Sequence, residues 1–297
     1  MTLGLAARGV VPLAGDASQR RFFRVTLADS TTVIAALYPP GATAQALQDR
    51  AVQLWAREHG LPVPHSFGIA GAVTVSEDLG DLDLERALAA GREVVPLALE
   101  ALGSFQESGW EGLANPPFDA EFFRRELAGF ELGVFPPPAG TPEPVVSFLD
   151  SLARRVAAHP YRLVHRDFHV NNLFFHAGSV WTVDFQDMRG GPDTYDLVSL
   201  LRERAGGEQI AKEAAWKADA ADRFDWAPGW EQRYLECAAQ RGLKVIGTFL
   251  RLARAGKRGY LAWLPGVSRH AGEALLALAA PAELRGVVAG YGGTEGV

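Results

Sequence analysis

The sequence predicts an α+β chain in which a small antiparallel sheet precedes a larger helical part. Three observations carry this reading. Short apolar runs separated by polar links fill residues 10–37, the pattern of strands joined by tight turns. From about Asp81 the apolar residues recur at helical spacing. Around residues 161–184 short apolar runs return between polar loops before the helical pattern resumes. The 297 residues suit one large domain or two smaller ones at ~100–200 residues each.

Val10–Leu13 is the first predicted strand. In the second, Phe22–Leu27, Phe23, Val25 and Leu27 share one face and Arg24 and Thr26 the other. Thr32–Leu37 follows the turn Ala28-Asp29-Ser30, completing an antiparallel meander that Pro39-Pro40-Gly41 ends. Ala44, Leu47, Ala51, Leu54 and Trp55 fall at helical spacing until Gly60, Leu61 and Pro62 stop the helix. Two further strands, His65–Ile69 and Val73–Ser76, lead into a connector, Glu77-Asp78-Leu79-Gly80. The helices expected beyond it are Leu82–Ala90, Pro96–Ser108, Asp119–Leu132 and Pro142–Ala158. Pro96 and Pro142 suit a first turn, where the missing N–H costs nothing. Pro116-Pro117 and Pro136-Pro137-Pro138 read as loops between helices. Tyr161–Val164, Leu173–Phe175 and Val180–Asp184 read as short strands, Thr194–Arg204 as a helix, and the helical pattern continues to Leu278.

Composition excludes several classes of function. Hydrophobic residues are 48% and charged residues 22%, as in folded globular chains. No apolar run approaches the ~20 residues that span a bilayer, and Met1–Leu13 lacks the basic start of a secretory signal. A net charge of −6 argues against a nucleic-acid surface. The single cysteine, Cys237, forms neither an internal disulfide nor a cysteine-based zinc site, and a cytoplasmic location is expected. Lysine occurs only at Lys212, Lys217, Lys244 and Lys257. Chemistry that needs a lysine in the first two-thirds of the chain is therefore excluded.

The most informative stretch is Leu163-Val164-His165-Arg166-Asp167-Phe168-His169-Val170-Asn171-Asn172-Leu173, followed by Trp181-Thr182-Val183-Asp184-Phe185-Gln186-Asp187. His-x-Asp-x-x-x-x-Asn with a later Asp-Phe resembles the catalytic and magnesium loops of protein kinases. Phosphoryl transfer explains the residue types. Its transition state spreads negative charge that a magnesium ion neutralises, and hard oxygen donors such as the Asn172 amide and the Asp184 carboxylate suit that ion. Asp167 stands where a carboxylate would accept the proton of the incoming hydroxyl. His165 reads as a structural loop residue, and His169 is open between loop packing and substrate contact. Asp187 is open between a second contact to metal or sugar and a plain loop carboxylate. Asp196, opening a helix, reads as a structural acceptor for backbone N–H groups of the catalytic loop.

These residues resemble the aminoglycoside phosphotransferase and choline kinase group, whose fold is two-lobed and protein-kinase-like. Within it the sequence is most similar to bacterial anomeric N-acetylmuramate/N-acetylglucosamine kinases of cell-wall recycling. Four blocks carry the resemblance: residues 15–24, residues 77–81, Asp184–Asp187 with Gly191–Leu197, and Gln240–Gly247 leading to Gly256–Leu261. The resemblance implies ATP- and magnesium-dependent phosphorylation of the anomeric hydroxyl of an amino sugar. Asp167 would be the base, and Asn172 and Asp184 the metal ligands. Gly15, Ser18 and Arg20 would cover the nucleotide phosphates, and the backbone from Glu77 to Leu79 would meet adenine. Residues 1–79 would form the nucleotide-binding lobe and residues 80–297 the helical lobe holding the catalytic loops and acceptor site.

The chain departs from the wider kinase pattern in its third strand, where Val33-Ile34-Ala35-Ala36-Leu37 offers no lysine. Arg20, Arg21 or Arg24 would then supply charge to the phosphates, with Glu58 a candidate helix partner for one of them. For the sugar, Gln186 and Arg189 lie near the catalytic stretch in sequence. Arg189 or Arg202 would suit a substrate carboxylate, and Trp216, Trp226, Trp230 and Trp263 offer aromatic faces, none singled out. A monomer or weak homodimer is expected. Two alternatives stay open: a kinase of another small alcohol or of an aminoglycoside antibiotic, and an inactive nucleotide-binding pseudokinase.

Overall fold

A computed structural model describes residues 4–13, 20–128, 140–204 and 207–292. The elements in chain order are β1 (Ala7–Pro12), β2 (Arg21–Leu27), β3 (Thr32–Leu37), α1 (Thr43–Glu58), β4 (Ser66–Ala70), β5 (Val73–Glu77), α2 (Leu84–Ala89), α3 (Val95–Glu107), α4 (Ala120–Leu127) and α5 (Glu143–Ala157). There follow β6 (Tyr161–Val164), β7 (Leu173–His176), β8 (Ser179–Thr182), β9 (Arg189–Pro192), α6 (Tyr195–Arg202), α7 (Gly207–Arg223), α8 (Trp230–Arg254), α9 (Leu264–Ala277) and α10 (Ala282–Gly290). The chain divides into two compact units, Met1–Asn115 with Val170–Met188, and Pro116–His169 with Arg189–Val297. The grouping does not follow the sequence division at residue 79, because 80–115 and 170–188 cluster with the residues before them.

The first unit rests on an antiparallel sheet in the order β1-β2-β3-β5-β4. β2 and β3 pair in unbroken register from Arg21↔Leu37 to Thr26↔Thr32. Their turn is closed by Asp29, which accepts from the Thr31 N–H and hydroxyl. Ala36 and Tyr38 at the end of β3 bury against Ala46 of α1, with Phe22 and Ile69 around them. β7 and β8 form a hairpin whose two turn residues, Ala177 and Gly178, have φ of 49° and 85°, the type I′ signature that matches strand twist. Two backbone bonds seat the hairpin, Phe175 N–H to Leu82 and Thr182 N–H to Pro62.

In the second unit α8 is the long central helix, packing on α4, α5, α6 and α9. Gly242 lets α9 approach, since a Cβ there would lie 2.7 Å from that of Ala271. β9 pairs with β6, a strand the sequence reading missed because Gly190-Gly191-Pro192 looks like a turn. A Cβ on Gly191 would come within 2.7 Å of Val164 and 2.8 Å of Phe118, so glycine is what lets this strand close.

Element ends differ from expectation where special backbone intervenes. β1 starts three residues early. The strand expected through Asp184 stops at Thr182, because Asp184 takes a left-handed conformation, φ 63° and ψ 36°. α4 stops at Leu127, and Pro136-Pro137-Pro138 lies outside the described residues. Among the described residues no helix is long and apolar enough to cross a membrane.

Candidate active site

In the first unit the hairpin β7–β8 carries the two expected metal ligands at its ends. Asn172 closes a single 3₁₀ turn before β7, and its carbonyl accepts from the Val183 N–H at 2.9 Å. That bond ties Asn172 to the residue preceding Asp184. Asp184 holds its left-handed backbone as Asp tolerates more readily than most residues, and its side chain stays 41% exposed. Its Oδ1 accepts from the Arg20 guanidinium at 2.6 Å and from the Gln186 amide at 2.9 Å.

Arg20 joins three oxygens: besides Asp184 it donates to Asp49 at 3.2 Å and to Gln186 Oε1 at 3.2 Å. The Tyr38 hydroxyl also donates to Asp49, at 2.7 Å. Burial raises the Asp49 carboxyl above its ordinary range, and burial together with Asp49 pushes Tyr38 up to about 12. Asp187 stands close enough for its charge to raise Asp49 further. Asn115 donates to the carbonyls of Gln186 and Met188, fixing the turn that carries Gln186 and Asp187.

These residues fit a magnesium ion. A cation already stands at Asp184, in the form of the Arg20 guanidinium. The donors are hard oxygens, and magnesium is commonly held by one or two protein groups plus phosphates. No group of three or more His, Cys, Asp or Glu able to hold a metal occurs among the described residues, so the phosphate oxygens would complete the shell.

Arg24 is committed elsewhere. It bonds Asp78 at 2.6 and 3.0 Å and Asp81 at 2.9 and 3.0 Å, clamping the connector that leaves β5. Glu77 there accepts from the His65 N–H, and the Leu79 carbonyl contacts the His176 ring. Gly15 and Ser18 lie outside the described residues. Glu58 is exposed, and the acidic partner of Arg20 on α1 is Asp49 instead. Its signal in the sequence is spacing: Ala46, Asp49, Gln53 and Ala56 form one buried stripe, and Asp49 is the charge on it.

The second unit holds Asp167. Asp196, fully buried at the start of α6, accepts from the N–H of His165 at 2.5 Å and of Arg166 at 3.0 Å, the structural role its sequence position suggested. Arg241 on α8 donates to the Arg166 carbonyl at 2.7 Å and to Glu203 at 2.5 Å. Its guanidinium lies 4.3 Å from the Tyr195 ring centre. Lys244, one turn along the same helix, sits 3.3 Å from Asp167 Oδ1. Burial pushes the Asp167 carboxyl up, but Lys244, Arg166 and Arg241 outweigh it and hold the group well below the usual carboxylate range. His169 is buried, which keeps its imidazole below its ordinary value.

Arg189 and Arg202, the arginines expected to suit a substrate carboxylate, each have partners within the protein. Arg189 is buried under the rings of Phe118 and Phe122. Arg202 pairs with Glu213 and donates to the His270 carbonyl. Trp216 and Trp226 are buried, while Trp230 and Trp263 are partly exposed. Arg241, Glu203 and Lys244 were not read as site residues. Arg241 and Lys244 lie in a block the resemblance had marked, but nothing local in a helix reveals that it meets a loop some 75 residues earlier.

Residues 9–235 match the model of the phosphotransferase enzyme family. The N-acetylmuramate/N-acetylglucosamine kinase of Neisseria meningitidis serogroup B is 32% identical over 279 residues, covering 85% of this chain and 81% of that protein. The protein of the same name from Pseudomonas aeruginosa is 29% identical over 285 residues, covering 88% of this chain and 82% of its own. In fold, the choline kinase LicA of Streptococcus pneumoniae superposes with a TM-score of 0.62 at 16% identity, covering 93% of this chain and 95% of LicA. With a family match across most of its length and a relative 32% identical, the chain belongs to the phosphotransferase enzyme family.

Proposed function

We propose that this phosphotransferase moves the terminal phosphoryl group of ATP to a sugar hydroxyl, the acceptor being N-acetylmuramate or N-acetylglucosamine at its anomeric position. The relatives named for that activity support the acceptor. The observation that carries the chemistry is Asp167, a carboxylate kept ionised by three cations on a loop pinned by Asp196. A carboxylate so stabilised is a weak base toward a resting alcohol. It suits a loose transition state, in which the hydroxyl becomes acidic only as the bond to phosphorus forms. Asn172 and Asp184 hold the magnesium, whose role is to neutralise phosphate charge. Arg20, fixed by Asp49, supplies the charge that the third strand lacks.

The test is direct. With ATP, magnesium and either amino sugar, the protein yields a sugar 1-phosphate, detected by phosphorus NMR. Asp167→Asn lowers turnover by at least ~10²-fold, the scale for losing a general base. Normal turnover by that variant would remove Asp167 from the role. ATP consumption with choline or an aminoglycoside but with neither amino sugar would replace the acceptor.

A further inference from the structure

We propose that Lys244 is a second catalytic residue, whose ammonium donates hydrogen bonds to the oxygens of the phosphoryl group in flight while holding Asp167 in place. The inference rests on the kinase reading above and adds to it a residue from the far end of the chain.

The argument begins with donors and acceptors. A lysine ammonium has three N–H donors and no acceptor, and burying it with donors unmet is costly. The Lys244 side chain is only 15% exposed, and Asp167 Oδ1, at 3.3 Å, is its one hydrogen-bond partner among the described residues. The other donors remain available to a ligand that arrives beside Asp167. The neighbouring cations are held by partners of their own. Arg241 is committed to the Arg166 carbonyl, Glu203 and the Tyr195 ring, and Arg166 to Glu126 and the Phe122 ring.

Reach follows from Asp167 itself. A hydroxyl that gives its proton to this carboxylate lies about 2.6–3.2 Å from it. The phosphorus under attack is bonded to that same oxygen in the transition state. Its non-bridging oxygens come within reach of an ammonium 3.3 Å from the carboxylate when both approach Asp167 from the same side. In the step, the acceptor oxygen–phosphorus bond forms and the hydroxyl proton passes to Asp167. The phosphorus–oxygen bond to the β-phosphate breaks, and its electron pair leaves with ADP. Lys244 keeps its proton and offsets charge as it develops, the effect for which a fixed donor is most valuable. Two residues beyond the base this chain has His169, buried and held below its ordinary imidazole range.

The experiment compares wild type, Lys244→Met and Lys244→Arg in the full chain. We expect Lys244→Met to lower kcat by about 10²–10³-fold, the usual loss for one such donor, with KM for ATP and sugar changed less than threefold. Binding gives a second readout. With magnesium, sugar and fluoroaluminate, ADP binds wild type as a transition-state mimic, and Lys244→Met loses that gain while binding ADP alone normally. Lys244→Arg keeps a cation against Asp167 and so preserves the fold. Its planar fork places charge differently, and we expect kcat at least tenfold below wild type. Should the methionine variant fail to fold by circular dichroism, the arginine variant decides. Three outcomes would overturn the proposal: unchanged kcat in either folded variant, a loss confined to KM for the sugar, or full fluoroaluminate enhancement in Lys244→Met. Absence of any sugar phosphate from wild type would instead sink the acceptor reading.

Discussion

Arg20 distributes one positive charge over Asp49, Asp184 and Gln186, and its planar fork is what allows this. In protein kinases the comparable bridge is a third-strand lysine paired with a helix glutamate; here the cation comes from the residue before β2 and the carboxylate from Asp49 of α1. Removing it leaves buried Asp49 without its ion pair and, on the function proposed above, would leave the phosphates without a cation. We expect Arg20→Met to weaken ATP–magnesium binding by about 10–100-fold, from the 1.5–3 kcal/mol of a charged hydrogen bond. Arg20→Lys should recover little, because one ammonium does not span two carboxylates and an amide. Displacement of a fluorescent nucleotide measures both, and wild-type affinity in Arg20→Met would take Arg20 out of nucleotide binding. At this scale local spacing is what singles out Asp167, Asn172 and Asp184 as the proposed base and metal ligands. The sequence was legible for Asp196 too, which opens a helix some 30 residues beyond the loop whose N–H groups donate to it. Asp49 becomes legible only once Ala46, Gln53 and Ala56 are taken as the buried face of α1, a stripe that Glu58, equally acidic on the same helix, falls off.

Among the elements, the hairpin β7–β8 shows how local chemistry sets position. Its type I′ turn needs positive φ at two residues, and Gly178 meets that without strain, but Ala177 at φ 49° does not. A left-handed alanine costs roughly 1 kcal/mol, partly offset in Ala177→Gly by the greater freedom of the unfolded chain. Ala177→Gly should therefore raise unfolding free energy by about 0.5 kcal/mol, read from urea titration. A fall in stability would mean that the turn is not limiting. Elements with strong period-2 or helical patterns, such as β3 and β6, are found where the sequence puts them. β9 was hidden because its glycines answer to the side chains of Val164 and Phe118, which no local rule can see.

For the whole molecule, the division into units follows packing rather than chain order, each unit drawing on two separate stretches of chain. The second unit concentrates its buried charge around Arg241, and this makes a pH signature. Burial alone would raise Glu203, but Arg241 above all, then His169 and Lys244, bring it down to about 2. A carboxylate lowered on folding stabilises the fold above its unfolded value of 4.5, and that stability is lost as pH falls from there toward 2. Asp196 has the opposite sign. Burial raises it to about 7, so its contribution is full below its unfolded value of 3.8 and fades as pH rises through 7. Comparing wild type with Glu203→Gln removes the Asp196 effect, which both share. At pH 7 the variant should be less stable by on the order of 3 kcal/mol, since Arg241 keeps its charge and loses its closest counter-ion. Below pH 4.5 the wild-type curve should descend toward the variant's, because a protonated glutamate differs little from glutamine. Unfolding midpoints at closely spaced pH values measure the gap between the two curves. A gap that stays constant from neutral to acid pH would show that Glu203 is not the group carrying this dependence.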